Sequence, residues 1–148
     1  MDKGKCLGRL QRLCSKAEYC RADIYRKALK DMEGDTAAAA EIVSSLVEDK
    51  FVDDTRYASA FAREKASLTG WGPIKIRYAL KAKGLSEADI AAGLAEVSPE
   101  SADARLLKLL QAKARTLEGD PQFKLKLIKF GLSRGYNYDE VEKAIQKI

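Results

Sequence analysis

Apolar residues recur at spacings of three and four along nearly the whole chain. This spacing places apolar side chains on one face of an α-helix, and no segment shows the sustained alternation of a half-buried strand. The pattern predicts an all-α protein. Its clearest groups are Ile42, Val43, Leu46 and Val47; Ile76, Ala79 and Leu80; Ile90, Leu94 and Val97; Leu106, Leu109, Leu110 and Leu117; and Val141, Ala144, Ile145 and Ile148.

Proline, glycine and capping residues divide these helices in the same order twice. Proline is favoured at the first position of a helix, and glycine is favoured just past its end. Each capping residue is followed three positions later by a carboxylate, Asp89 or Glu140, which predicts a capping box. The two series are Pro73, Gly84 and Ser86, then Pro121, Gly135 and Asn137.

These series belong to an internal repeat of about fifty residues. Gly84 and Gly135 lie 51 positions apart, as do Ile90 and Val141. The helices that precede them also align, but with an offset that is two residues shorter, which pairs Arg56 with Arg105. A weaker third copy lies at the start of the chain. We therefore expect three tandem three-helix repeats, at residues 1–50, 51–98 and 99–148, that form an elongated, curved helical array.

Charge follows the same division. Residues 63–83 carry six basic side chains and one acidic side chain. Residues 84–104 carry no basic side chain and five acidic ones. The middle helix of each repeat is basic, and the third helices of the first two repeats are acidic. Several basic side chains share one helix face, where they repel one another, so an anionic partner would stabilise them. An ordinary solvated face, or a protein partner of complementary charge, also fits this pattern.

Composition excludes several kinds of chemistry. The 148 residues contain no histidine, so a Ser-His-Asp triad and an imidazole metal site are both absent. Cys6, Cys14 and Cys20 form no CxxC pair, and we interpret them as buried or incidental thiols of a reducing cytoplasm, with a reactive thiol as the alternative. Asp53 and Asp54 fit helix capping better than catalysis. No phosphate-binding glycine loop occurs, so we expect no enzyme, no cofactor and no metal.

Four stretches of the middle third resemble the RecX regulatory family. They are FVDDTRYA at 51–58, GWGPIKI at 70–76, LKAKGL at 80–85 and IAAGL at 90–94. Their order and spacing agree with the family's acidic pair, arginine, glycine-rich turn, basic helix and Lys-Gly end. The outer thirds match as looser copies.

The resemblance implies a cytoplasmic bacterial modulator built from tandem three-helix repeats. Proteins similar to RecX bind the filament that the RecA recombinase forms on single-stranded DNA. They inhibit its recombinase, ATPase and coprotease activities, and so modulate DNA repair, recombination and the SOS response. They are not enzymes. We therefore expect RecA and single-stranded DNA as partners, no membrane, and a monomer.

Charge alone then selects the candidate binding residues, with basic middle helices facing the filament. Trp71 either stacks on a base or anchors a partner, or instead packs over the core between helices. A stand-alone nucleic-acid-binding module and a protein-interaction scaffold remain alternatives. The candidates are Lys75, Arg77, Lys81 and Lys83, then Lys124, Lys126 and Lys129, with Arg63, Lys65 and Trp71 extending the surface.

The combined substitution Arg77→Glu and Lys81→Glu is expected to abolish inhibition of RecA, because it reverses two charges on one face of the basic helix. Circular dichroism checks that the fold is intact. Unchanged inhibition by a natively folded double mutant would contradict the assignment.

Overall fold

The computed structural model describes residues 1–148 as nine helices without a strand, so the predicted all-α class is confirmed. The helices are α1 (Lys3–Lys16), α2 (Arg21–Asp31), α3 (Thr36–Glu48), α4 (Asp54–Leu68), α5 (Pro73–Ala82), α6 (Glu87–Leu94), α7 (Pro99–Thr116), α8 (Phe123–Ser133) and α9 (Tyr138–Ile145). No helix among them is both long enough and apolar enough to cross a membrane.

Three apolar cores arrange the helices in consecutive groups of three, which we call the first, second and third groups. Leu10, Ile24 and Leu46 lie in the first core, Ile76, Leu80 and Ile90 in the second, and Leu106, Leu127 and Val141 in the third. A three-helix group of this size buries little surface alone, so contacts between groups add stability. The boundaries at 50/51 and 98/99 stay predictions.

Side-chain caps begin most of the helices. Asn137 and Glu140 form the predicted capping box at α9. The reciprocal box predicted for Ser86 is wrong. Ser86 accepts a hydrogen bond from the backbone N–H of Asp89. The Asp89 carboxylate, however, accepts a hydrogen bond from the hydroxyl of Thr55, at 2.7 Å. This carboxylate therefore ties α6 to α4 instead of closing its own helix end.

One further sequence prediction needs correction. Pro121 does not open a helix, because it lies in a turn and α8 begins at Phe123. The Asp120 carboxylate instead accepts the backbone N–H of Gln122. The alignment of Arg56 with Arg105 stays a prediction.

Hydrogen bonds across the first junction tie α1–α3 to α4–α6. The Asp54 carboxylate accepts the backbone N–H of Arg21 at 2.8 Å. Arg56 donates to Glu18 at 2.5 Å, and also to the carbonyls of Lys50 and Phe51. Asp53 caps α4 as predicted, by accepting the N–H of Arg56. The acidic pair is therefore structural, with one carboxylate at a helix start and the other at a junction.

The second junction is made largely by backbone groups. The turn between α8 and α9 lies against the loop between α4 and α5, where Gly72 N donates to Arg134 O at 2.7 Å and Ile74 N to Gly135 O at 3.0 Å. A Cβ atom on Gly72 would lie 2.6 Å from the carbonyl carbon of Gly135, so this approach requires glycine. The Tyr136 hydroxyl adds a bond to Gly70 O at 3.1 Å.

Gly93→Ala is expected to lower the free energy of unfolding by about 1–3 kcal/mol, because an added Cβ would lie 2.6 Å from the Ala58 backbone. The matched control is Gly8→Ala in α1, where the nearest side-chain atom would be 3.5 Å away. It should be neutral or stabilising by up to about 1 kcal/mol. Urea unfolding measures both, and equal effects would contradict the described α4–α6 contact.

Candidate functional site

The central feature of the candidate site is Trp71 with a lysine on either side of it in sequence. The Nζ atoms of Lys65 and Lys75 lie 4.9 and 4.7 Å from the centroid of the Trp71 ring. Phe61 meets the same ring edge-on at 6.3 Å. Ammonium groups at this distance are attracted to the electron-rich face of indole. We call Lys65, Trp71 and Lys75 the middle cluster.

Trp71 is half-buried and packs against the second core, as the packing alternative predicted. Its backbone N–H also bonds to the carbonyl of Lys65, at 3.0 Å, which fixes the loop after α4. The indole therefore holds two cations in place. All three residues of this cluster are among the predicted binding residues, but the contacts between them are visible only in the structure.

A second group of cations lies on α7 and α8. Lys113 Nζ lies 5.4 Å from the centroid of the Phe130 ring. Lys126 and Lys129 line the same shallow groove, together with Ser133. We call Lys113, Lys126, Lys129 and Phe130 the third cluster. It is continuous with the middle cluster, because Lys75 Nζ also reaches the carbonyl of Ser133, at 3.4 Å.

A third group of cations surrounds one carboxylate beside the first helix group. We call Tyr19, Asp23, Arg26, Lys27, Lys30 and Lys83 the first cluster. Lys27 Nζ lies 5.6 Å from the Tyr19 ring centroid. The groove beside it is lined by Tyr19, Asp23, Arg26, Lys27, Lys30 and Lys83. Asp23 accepts from Arg26 at 2.5 Å and from Lys83 at 3.4 Å. Four cations around one acid leave the groove positive.

The pKa of Asp23 reflects these surroundings. Burial alone would raise it, but hydrogen bonds from Cys20, Lys83 and Arg26 and the charge of Lys83 together hold the pKa below its usual value. The Asp23 carboxylate therefore stays ionised at neutral pH and fixes Lys83 against α2.

Helix α5 joins the three clusters. Lys75 and Lys83 are eight residues apart, so they lie about 12 Å apart along the axis and within about 80° of one another around it. Lys75 contacts the third helix group and Lys83 contacts the first. We call the three clusters together the basic path, which runs from α2 along α5 to α8.

Most of the other predicted cations are paired with carboxylates of the same chain. Arg77 and Lys81 share Glu87, so that this part of α5 keeps only one net positive charge. Lys65, Lys75 and Lys129 form no ion pair. The pairs are Arg63–Glu96 at 3.9 Å, Arg77–Glu87 at 3.1 Å, Lys81–Glu87 at 3.8 Å, Lys83–Asp23 at 3.4 Å, Lys124–Glu142 at 3.1 Å and Lys126–Asp120 at 2.6 Å.

These pairs narrow the predicted surface. The predicted cations do not form one uncompensated face, because α2, α6, α9 and two loops supply carboxylates. Exposed ion pairs contribute only about 0–1 kcal/mol each, so a phosphate could replace the internal carboxylate at small cost. A binding role for each residue stays a prediction, and Lys65, Lys75 and Lys129 need no such exchange.

The sequence pattern predicts only part of the basic path. Lys27 and Lys30 lie on a helix that is predicted to be basic but are not among the predicted binding residues, and neither are Lys113, Tyr19 and Phe130. Lys113 and Phe130 lie on different helices, so only tertiary structure brings them together. The weak repeat could have indicated Lys27 and Lys30, because they lie on the middle helix of the first group.

The cysteines belong to the cores. Cys6 and Cys20 are buried, Cys14 is half-buried, and all three are free. Burial is the main cause that raises the pKa of Cys6, to about 11, and it also raises the pKa of Cys20. The raised pKa disfavours the alternative of a reactive thiol at Cys20, because it favours the protonated, unreactive form.

Comparison with known proteins agrees with the resemblance found in the sequence. Residues 53–94 match the family model described as RecX, second three-helix domain. The regulatory protein RecX of Clostridium botulinum (strain Eklund 17B / Type B) is 33% identical over 123 residues, which are 80% of this chain and 56% of that protein. These matches support the RecX family for this chain. RecX of Bacillus mycoides (strain KBAB4) is 28% identical over 122 residues, which are 81% of the chain and 45% of that protein.

Solved RecX structures share the fold. The crystal structure of RecX from Lactobacillus salivarius has a TM-score of 0.88 at 20% identity, over 98% of this chain and 95% of that one. Another RecX crystal structure has a TM-score of 0.88 at 24% identity, and the match covers 97% of this chain and 71% of that one. The chain spans about half the length of the curated RecX relatives, which are named regulatory proteins rather than enzymes.

Proposed function

We propose that this RecX-family protein binds the RecA–single-stranded-DNA filament and inhibits its recombinase, ATPase and coprotease activities, thereby modulating repair and recombination. The observation that carries the proposal is the basic path, which sets three lysine–aromatic clusters in a row on consecutive helix groups. Family membership supports the regulatory role. No catalytic residue is assigned, because the proposed inhibition needs only binding.

A filament is a suitable partner for such a row because it repeats. Each cluster offers a few positive charges, and each contact with an acidic surface or a phosphate would be weak. Clusters held in one chain bind the same filament with a high effective concentration, so that their contributions combine. Binding through several cations also releases counterions, which makes the affinity fall with salt concentration.

The junctions determine how well the clusters combine. The backbone bonds of Gly72 and Ile74 hold the third cluster against the middle one, and the Lys83–Asp23 pair holds the first cluster against α5. Cations already fixed in position lose little conformational freedom on binding. The three-group array therefore acts as one preorganised surface in the proposed complex.

The aromatic rings have a positioning role in this account. The Trp71, Phe130 and Tyr19 rings each carry a lysine ammonium group at 4.7–5.6 Å. A ring covered in this way is less available to stack on a base, which is how many single-strand-binding proteins hold bases. We therefore expect contacts to charge rather than to bases, and no sequence preference.

A stand-alone nucleic-acid-binding module is the second candidate, because unpaired lysines such as Lys75 and Lys129 suit any polyphosphate. Gel-shift titration with single- and double-stranded DNA, without RecA, separates the two. Tight binding to bare DNA with no effect on RecA ATP hydrolysis would favour the module. ATPase inhibition far below one protein per RecA would indicate capping of filament ends, and inhibition only near saturation would indicate coating.

A triple variant that combines Lys30→Gln, Lys75→Gln and Lys129→Gln loses one unpaired cation from each cluster. The concentration of protein needed to inhibit RecA ATPase is therefore expected to rise by at least about tenfold. The matched control is Lys5→Gln, Lys143→Gln and Lys147→Gln, which removes three exposed lysines outside the basic path.

The control should inhibit like the unmodified protein, and circular dichroism should be unchanged for both variants. Equal inhibition by the two triple variants would contradict the basic path as the binding surface.

A further inference from the structure

Helices α5 and α8 each expose two large apolar side chains on their outer sides. On α5 these are Ile74, which is 53% exposed, and Tyr78, which is 77% exposed. On α8 they are Leu125 and Leu132, which are 47% and 44% exposed. Whereas lysines lie over the ring of Trp71, the Tyr78 ring carries no cation and stacks on no other ring. These four side chains therefore present apolar surface that the chain itself does not cover.

A lysine completes each set, and the two sets lie at matching positions of the internal repeat. Residues at i, i+4 and i+7 of a helix lie within about 60° of one another around its axis and span about 10 Å along it. Each residue on α5 precedes its counterpart on α8 by 51 positions, the offset that separates Gly84 from Gly135. We call these sets the α5 strip, which is Ile74, Tyr78 and Lys81, and the α8 strip, which is Leu125, Lys129 and Leu132.

The surroundings of both strips are positively charged. Beside the α5 strip, Arg77 and Lys81 share Glu87, and Lys75 forms no ion pair. Three cations and one carboxylate leave two net positive charges there. Lys129, in the middle of the α8 strip, also forms no ion pair. Each strip therefore combines uncovered apolar surface with cations that a negatively charged partner would neutralise.

We propose that the two strips are docking surfaces for a protein segment that presents apolar side chains between carboxylates. Protein interfaces commonly have an apolar centre and a polar rim, and they favour tyrosine. A nucleic acid fits less well, because bases stack on aromatic rings and three of the four exposed apolar side chains are aliphatic. The strips would therefore contact protein, while the basic path supplies the longer-range attraction.

This inference rests on the proposed function for the identity of the partner. A filament presents the same protein surface on successive subunits. Two equivalent strips on one rigid chain could engage two such surfaces, and the second contact would then form at a high effective concentration.

Peptide probes test the strips without RecA. One probe is an eleven-residue glutamate peptide with three leucines spaced by four and three residues. The other has glutamine at those positions, so that both carry the same charge. We expect the leucine peptide to bind at least about tenfold more tightly, measured by the fluorescence anisotropy of a labelled peptide. Equal affinities, or no binding of the leucine peptide, would overturn the proposal without any variant.

Variants that remove apolar surface but no charge locate the binding. One combines Ile74→Gln with Tyr78→Gln, and the other combines Leu125→Gln with Leu132→Gln. The four substitutions together should weaken binding of the leucine peptide at least about tenfold and leave binding of oligothymidylate unchanged. An equal loss of peptide and oligothymidylate binding would assign the strips to nucleic acid and overturn the proposal.

The matched control combines Leu68→Gln with Tyr138→Gln, which are 77% and 55% exposed and lie outside both strips. It should bind the leucine peptide like the unmodified protein. A loss equal to that of the fourfold variant would show that exposed apolar surface acts without regard to position, and would overturn the strips as docking surfaces. Circular dichroism establishes that each variant is folded.

Filament measurements separate this inference from the proposed function. The fourfold variant should require at least about tenfold more protein to inhibit RecA ATPase, with an unchanged salt dependence because no charge is lost. Inhibition equal to that of the unmodified protein would overturn the strips as filament contacts but leave the proposed function intact. Selective binding of the leucine peptide by a protein that does not inhibit RecA would support the strips and contradict the proposed function.

Discussion

The contact between the loop 69–72 and the turn 133–136 determines how the chain is assembled. Backbone groups of Gly72, Ile74, Arg134 and Gly135 pair directly, and side chains of the turn add further bonds to carbonyls of the loop. Arg134 donates to the carbonyl of Thr69, and Tyr136 donates to that of Gly70. Such close approach needs glycine on both sides. The same contact brings Lys75 to Ser133, and so connects the middle and third clusters.

The two junctions join neighbouring helix groups through different kinds of contact. At the first, a carboxylate of the preceding group satisfies Arg56. At the second, the backbones approach closely through glycine, and the side chains of Arg134 and Tyr136 donate to the carbonyls of Thr69 and Gly70. The first junction therefore depends on a charged pair, and the second depends mainly on backbone contact.

Local sequence patterns predicted the features that depend on neighbouring residues. Helical periodicity and caps such as Asn137 act within one or two turns, which is why the all-α class and the α9 capping box could be read directly. Contacts between distant segments could not be predicted from such local patterns. Arg77 and Lys81 share Glu87 only because α6 folds back along α5, and Lys113 meets Phe130 only across two helices. Charge counting alone therefore selected cations without separating paired from unpaired ones.

The most direct test of the account is the salt dependence of binding to preassembled RecA–single-stranded-DNA filaments. The account predicts that the logarithm of the binding constant falls linearly with the logarithm of salt concentration, with a slope of about −3 or steeper. Neutralising Lys30, Lys75 and Lys129 together should make this slope shallower by about 2, since each phosphate contact contributes about 0.7. A slope near zero, or the same slope for both proteins, would contradict an electrostatic contact through the basic path.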